Sequence, residues 1–130
     1  MKTALSFILC FSMNYSFAIE AKDCSDATTT RGIVECHDTR YRQADKKINT
    51  IYRAAMKELS NKEKSALKES QRAWLKYRDA TVSLIYTLNE DSGSYGSIHS
   101  AYLKAYVVER RVEELKELLS GPGDVPDWLK

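Results

Sequence analysis

The sequence lacks the residue patterns on which most enzyme active sites are built. Its two histidines, His37 and His99, do not stand in the HExxH spacing of a zinc hydrolase, and no glycine-rich phosphate loop is present. Ser92 and Ser94 have no neighbouring base that would activate a nucleophile. Glutamates recur between 109 and 117 but are interleaved with basic residues, as on a solvated helix face. We therefore predict a protein that is not an enzyme and needs no metal or other cofactor.

A strong charge imbalance and a long apolar run are missing as well. The chain has 20 basic and 18 acidic residues, and only Lys2 of these lies in the first 18 positions, so the remainder carries a net charge of +1. Such a balance gives no reason to expect nucleic acid or an anionic membrane as partner. After those positions, no apolar run approaches the roughly 20 residues of a membrane-spanning helix.

The chain begins with a short apolar segment that follows a positive charge. Lys2 precedes an uncharged stretch from Thr3 to Phe17, and Ser16 and Ala18 place small residues at the positions that signal peptidase reads. The stretch is too short and too polar to be retained across roughly 30 Å of hydrocarbon. We predict a signal peptide over residues 1–18 and a mature protein that is periplasmic or secreted, without a membrane anchor.

Cysteine is scarce, and export gives the two remaining cysteines a role. Cys10 lies in the predicted signal peptide, which leaves Cys24 and Cys36. An even number of cysteines in an exported chain favours a disulfide, and two allow one pairing. The alternatives are a metal site or a reactive thiol, but two sulfurs and the neighbouring His37 would leave a metal without a fourth ligand. We expect the Cys24–Cys36 disulfide to stabilise the fold by roughly 2–3 kcal/mol.

Strand-like alternation is absent, and apolar residues instead recur every three or four positions, which is typical of amphipathic helices. The pattern predicts three helices, over about 31–59, 62–88 and 97–119. One of the threonines 28–30 is the expected N-cap of the first helix. Ser60 and Glu63 have the spacing of a capping box that starts the second helix. The glycine-containing residues 89–96 are typical of a loop, and Gly121 with Pro122 ends the third helix.

Short connections between long helices imply that consecutive helices are antiparallel. The predicted fold is therefore all-α, with three long antiparallel helices and one disulfide. It is either a three-helix bundle or a helical hairpin with a third helix packed against it. We place the helical domain at residues 19–120 and a short C-terminal tail at residues 121–130.

Polar residues interrupt the apolar stripes of the first two predicted helices. They are Asp45 and Asn49, which flank Ile48 and Tyr52 on the first helix, and Gln71 and Arg78, which share a face with Trp74 on the second. Buried polar groups need partners, so one interpretation is an interhelical network in which Asp45 or Asn49 meets Gln71 or Arg78. The other interpretation is a recognition groove beside Trp74, since tryptophan, tyrosine and arginine are common in interface hot spots. The sequence leaves both open.

These segments resemble a known family. Residues 71–80 read QRAWLKYRDA and resemble the central QRxWLxYRDA motif of the LprI-type domain, a lysozyme-inhibitor-like family of small bacterial exported proteins. Glu35-Cys36 and residues 45–52 are similar to the family's EC and DxxLNxxY segments, and residues 111–115 resemble its closing RxxxL. The resemblance spans about Cys24 to Leu119.

The resemblance implies an exported, non-catalytic binding protein, similar to a lysozyme inhibitor, with a protein partner such as a lysozyme. The alternative is a structural or envelope-interaction module that inhibits nothing. The residues expected to form either a binding site or a polar network in the core are Asp45, Asn49, Tyr52, Gln71, Trp74, Tyr77, Arg78, Asp79 and Arg111.

Overall fold

The structure, a computed structural model, describes residues 23–123 and 125–130. Three long helices account for most of this part of the chain: α1 (Thr30–Glu58), α2 (Asn61–Asn89) and α3 (Gly93–Ser120). Short 3-10 turns lie at Cys24–Asp26, Glu90–Ser92 and Asp127–Leu129. The prediction of an all-α fold with three long helices and one disulfide is confirmed. The predicted signal peptide lies outside the described residues.

Capping side chains explain where the first two helices begin. The Thr29 hydroxyl accepts a hydrogen bond from the Gly32 N–H at 3.1 Å, so Thr29 is the N-cap of α1. Ser60 and Glu63 form the predicted capping box, in which the Ser60 N–H donates to the Glu63 carboxylate at 2.8 Å. Since only Leu59 and Ser60 separate α1 from α2, the chain reverses direction there within two residues.

The connection between α2 and α3 is tighter than the loop predicted for residues 89–96. The 3-10 turn Glu90–Ser92 leads directly into α3, whose first residue, Gly93, has a φ of +56° that residues with a side chain rarely adopt. Gly96 lies in the first turn of α3, where a Cβ would collide with the carbonyl oxygen of Asn89. The two glycines therefore permit a close turn, and their presence does not mark a long loop.

Helix α3 is the central element of the fold. Both α1 and α2 pack along it, whereas α1 and α2 make few contacts with each other. The buried core draws on all three helices and consists of Ala44, Ile48, Ile51, Ala55, Leu67, Trp74, Val108, Val112 and Leu115. Trp128 and Leu129 of the C-terminal tail pack against this core. Because α1 and α2 are each held by α3, a groove remains between them.

Two residues that continue the three- and four-residue spacing of apolar side chains are nevertheless exposed. Leu88, near the end of α2, is 72% exposed, and Tyr102 on α3 is exposed as well. Among the described residues, no helix is long and apolar enough to cross a membrane.

Candidate functional site between helices α1 and α2

The two polar segments identified in the sequence line opposite sides of a single groove. Its volume is about 360 Å³, and it lies between α1 and α2. Helix α1 contributes Asp45, Ile48, Asn49 and Tyr52, and helix α2 contributes Lys68, Gln71, Arg72, Trp74 and Leu75. The two segments that resemble the LprI family, residues 45–52 and 71–80, are at least 19 positions apart in the chain, and the turn at Ser60 brings them face to face.

Trp74, at the base of this groove, lies between two guanidinium groups. The Cζ atom of Arg78 is 5.4 Å from the centroid of the indole ring, and that of Arg111 is 5.6 Å away. Trp74 is only 8% exposed and Arg111 only 3%. Each cation–π contact contributes about 0.5–2 kcal/mol, with the larger value where water is excluded. Trp74 is therefore a core residue that joins α2 to α3.

The buried charge of Arg111 has a full set of partners. Its Nη2 donates to Ser70 Oγ at 3.1 Å and to Gln71 Oε1 at 3.2 Å. Its Nη1 lies 3.0 Å from the carboxylate of Glu114. A buried charge is tolerated only with such pairing. Gln71 thus meets α3, and not the residues of α1 that the sequence suggested as its partners.

Helices α1 and α2 are linked by a long ion pair at the end of the groove. Arg78 Nη1 lies 3.7 Å from Asp45 Oδ1, which is one of the pairings considered from the sequence. The stronger partner of Arg78 is Asp79, whose Oδ1 accepts from Nη2 at 2.7 Å. Asn49 donates to the Asp45 carbonyl oxygen at 2.9 Å and so bonds within α1. Tyr77 points into solvent and takes no part in this network.

A second polar cluster lies nearer the N-terminus of α1, beside the disulfide. The sulfur atoms of Cys24 and Cys36 are 2.08 Å apart, which confirms the predicted pairing. Next to them, Arg40 forms a two-fold ion pair with the Glu109 carboxylate of α3, at 2.8 and 2.7 Å. The sequence patterns did not point to this pair, because its members are 69 positions apart.

Buried His37 connects the disulfide with this ion pair. Its Nδ1 lies 3.1 Å from Arg40 Nη1 and 3.6 Å from the Cys24 sulfur. An arginine N–H can only donate, so Nδ1 is the acceptor and the ring is neutral. Burial lowers the pKa of His37, and the positive charge of Arg40 lowers it further, against the opposite influence of Glu109 and Asp38. Within residues 23–123 and 125–130, no group of three potential ligands could hold a metal ion.

The fold and the groove together define a small helical domain with a polar surface cleft built from two distant segments. The chain belongs to the lysozyme inhibitor LprI family, whose model matches residues 21–118. The uncharacterized protein R02472 of Rhizobium meliloti (strain 1021) is 33% identical over 129 residues, which covers 89% of this chain and 92% of that protein. No solved structure matches the chain significantly. The family resemblance read from the sequence is thereby confirmed.

Proposed function

We propose that this protein is exported, binds a lysozyme and inhibits it without catalysing a reaction. The observation that carries the proposal is the family match, which extends over residues 21–118 and names a lysozyme inhibitor. The disulfide supports export, since such bonds persist in oxidising compartments such as the periplasm. Accordingly, the predicted site of action is the periplasm or the cell exterior.

The groove between α1 and α2 is the surface we assign to the partner. Its volume of about 360 Å³ is at the small end of the range for ligand sites, about 300–1,000 Å³. That size suits one or two inserted side chains of a protein. Tyr52 and Leu75 supply apolar contact area, and Arg72 supplies a charged donor, which are features of interface hot spots.

The proposal is tested with the mature protein, from residue 19, added in micromolar excess to c-type, g-type and i-type lysozymes. We expect inhibition of at least one type, with binding visible by calorimetry. In the Leu75→Asp variant, a charge placed on the groove should weaken binding by about tenfold or more. Leu84→Asp is the matched control, because Leu84 is an exposed leucine of the same helix outside the groove.

Full activity of all three lysozymes, with no binding, would contradict the proposal. It would favour the alternative of a structural or envelope-interaction module without inhibitory activity. One observation already speaks for that alternative: Trp74 is buried, and the Arg78 side chain is only 18% exposed. Both motif residues therefore serve the packing of the helices, whatever the groove binds.

A further inference from the structure

The first half of α2 carries a row of basic side chains without ion-pair partners. Lys64, Lys68, Arg72 and Lys76 recur every four residues, so neighbouring members lie on one side of the helix with Cβ atoms about 5–6 Å apart. We call these four residues the basic ridge. Three of them are exposed and Lys64 is half-buried. Within the described part of the chain, none of the four forms an ion pair.

Many cations elsewhere in the structure are paired. Ion pairs join Arg31 to Glu35, Arg40 to Glu109, Lys104 to Asp38, Arg111 to Glu114 and Lys116 to Glu113. By contrast, residues 61–78 contain six basic and two acidic residues, a net charge of +4. One of the two acids, Glu63, is engaged in the capping box. The following residues 79–96 contain three acidic residues and no basic one.

This distribution of charge does not help α2 to fold. Like charges four positions apart destabilise a helix by about 0.2–0.5 kcal/mol per pair. Cations near the N-terminus of a helix, such as Lys62 and Lys64, also oppose the helix dipole. Positions that break local rules without a gain in packing are expected where a surface has a function. The charges of the basic ridge are therefore available to a partner.

We infer that the basic ridge binds a pair of carboxylates on the surface of a protein partner, and that this partner also occupies the groove. The inference rests on the proposed function, which it makes more specific. Lys68 and Arg72 belong to both the ridge and the groove, so a single surface offers cations beside the apolar groups of Tyr52 and Leu75. A lipid headgroup would use the charge and leave the groove empty, whereas a protein segment uses both.

The basic ridge can reach a pair of carboxylates. In a retaining glycosidase the two catalytic carboxyl groups are about 5–5.5 Å apart. The Cβ atoms of neighbouring ridge positions are about 5–6 Å apart, and the long side chains of Lys68 and Arg72 allow both charged groups to converge on such a pair. Lys68 and Arg72 are adjacent members of the ridge that also face the groove. If the partner is a lysozyme, its catalytic pair is the acidic site that these two cations bind, and substrate is thereby excluded.

The test is a double charge reversal, Lys68→Glu with Arg72→Glu. Its matched control is Arg53→Glu with Lys57→Glu, which changes the net charge equally. Arg53 and Lys57 are exposed, four positions apart on α1, and without an ion pair among the described residues. The ridge variant should melt at the same temperature or higher, because each of the two new carboxylates stands four positions from a lysine, Lys64 or Lys76.

Binding of each variant is measured by calorimetry against the lysozymes and against poly-L-glutamate, at low salt and at about 150 mM salt. We expect the ridge variant to bind both probes about a hundredfold more weakly, tenfold for each reversed charge, and the control to bind within about threefold of the original protein. The affinity of the original protein should fall as salt is added.

The outcomes separate this inference from the proposed function. Lysozyme binding that survives in the ridge variant overturns the inference and leaves the proposed function standing. Binding of poly-L-glutamate through the ridge, without any binding of lysozyme, supports the inference and contradicts the proposed function. Failure to bind either probe contradicts both. Ridge-dependent binding to phosphatidylglycerol vesicles that is tighter than binding to either protein probe would overturn the assignment to a protein partner.

Discussion

Two parts of this helical domain are held together by different chemistry. Around Trp74, the indole ring packs against two guanidinium groups, and the buried charge of Arg111 joins α2 to α3. Around the disulfide, Cys24 is bonded to Cys36 of α1, and the ion pair of Arg40 with Glu109 joins α1 to α3. The comparison shows that α1 and α2 are fastened separately to the same central helix.

This separate attachment explains why a groove exists. Between α1 and α2 themselves, the described residues show one ion pair, the 3.7 Å contact of Asp45 with Arg78. A contact of that length near the surface contributes little stability. Each side of the groove is thus fixed by α3, and the polar groups lining it are not used to close it. The three predictions that follow compare how much the contacts around Trp74 and those around the disulfide contribute to the stability of the fold.

Removal of the indole ring should have the largest effect. We expect Trp74→Ala to lower the free energy of unfolding by about 3–5 kcal/mol, since it leaves a cavity and deprives Arg111 of its aromatic neighbour. Urea denaturation followed by circular dichroism measures the loss. Tyr77→Ala is the control on the same helix, and its exposed side chain should cost less than about 0.5 kcal/mol. If Trp74→Ala lowered the free energy of unfolding by less than the disulfide variant does, the contacts around Trp74 would not be the stronger ones, contrary to this expectation.

Loss of the disulfide should rank second. The double variant Cys24→Ser with Cys36→Ser opens a loop with a sequence separation of 12, which on the chain-entropy model costs about 3 kcal/mol. Treatment of the original protein with a reductant should lower its melting temperature to that of the double variant. The melting temperature of the double variant should not change with reductant. Equal melting temperatures before and after reduction would show that the packing of α1 on α3 holds this part of the domain without the covalent bond.

Acidification should have the smallest effect on stability, and it should act at His37 beside the disulfide. The pKa of His37 is lowered in the folded state, so the unfolded chain takes up its proton first as the pH falls. The stability is therefore complete above about pH 6.5, the ordinary value of histidine, and declines below it. Protonated Nδ1 would also face Arg40, its present donor.

The measurement is the melting temperature between pH 8 and pH 5, compared with His37→Asn, whose amide oxygen can still accept from Arg40. Over this range the melting temperature of the variant should fall less than that of the original protein. The same slope in both proteins would mean that other groups cause it. The hydrogen bonds of Arg111 to Gln71 and Ser70 should not contribute, because neither acceptor titrates.

Much of the helical framework could be predicted from the sequence, because the signals are local. The spacing of apolar residues located three helices, and Ser60 with Glu63 marked the start of the second. The exposed Leu88 and the tight turn at Gly93 were not foreseen, because both depend on what lies opposite in space. The repeat of cations from Lys64 to Lys76 can be read from the sequence, but the sequence does not show whether these cations form ion pairs.

By itself the sequence predicted the helices and their caps, which depend on residues close in the chain, and a disulfide between the two cysteines that follow the predicted signal peptide. Only the tertiary structure decided which helices touch. It packed both α1 and α2 along α3 and brought Gln71 and Trp74 into contact with Arg111. It left Asp45 and Arg78 at the end of an open groove. The physical reason is that side-chain partners across helices are chosen by packing, and packing depends on the whole chain at once.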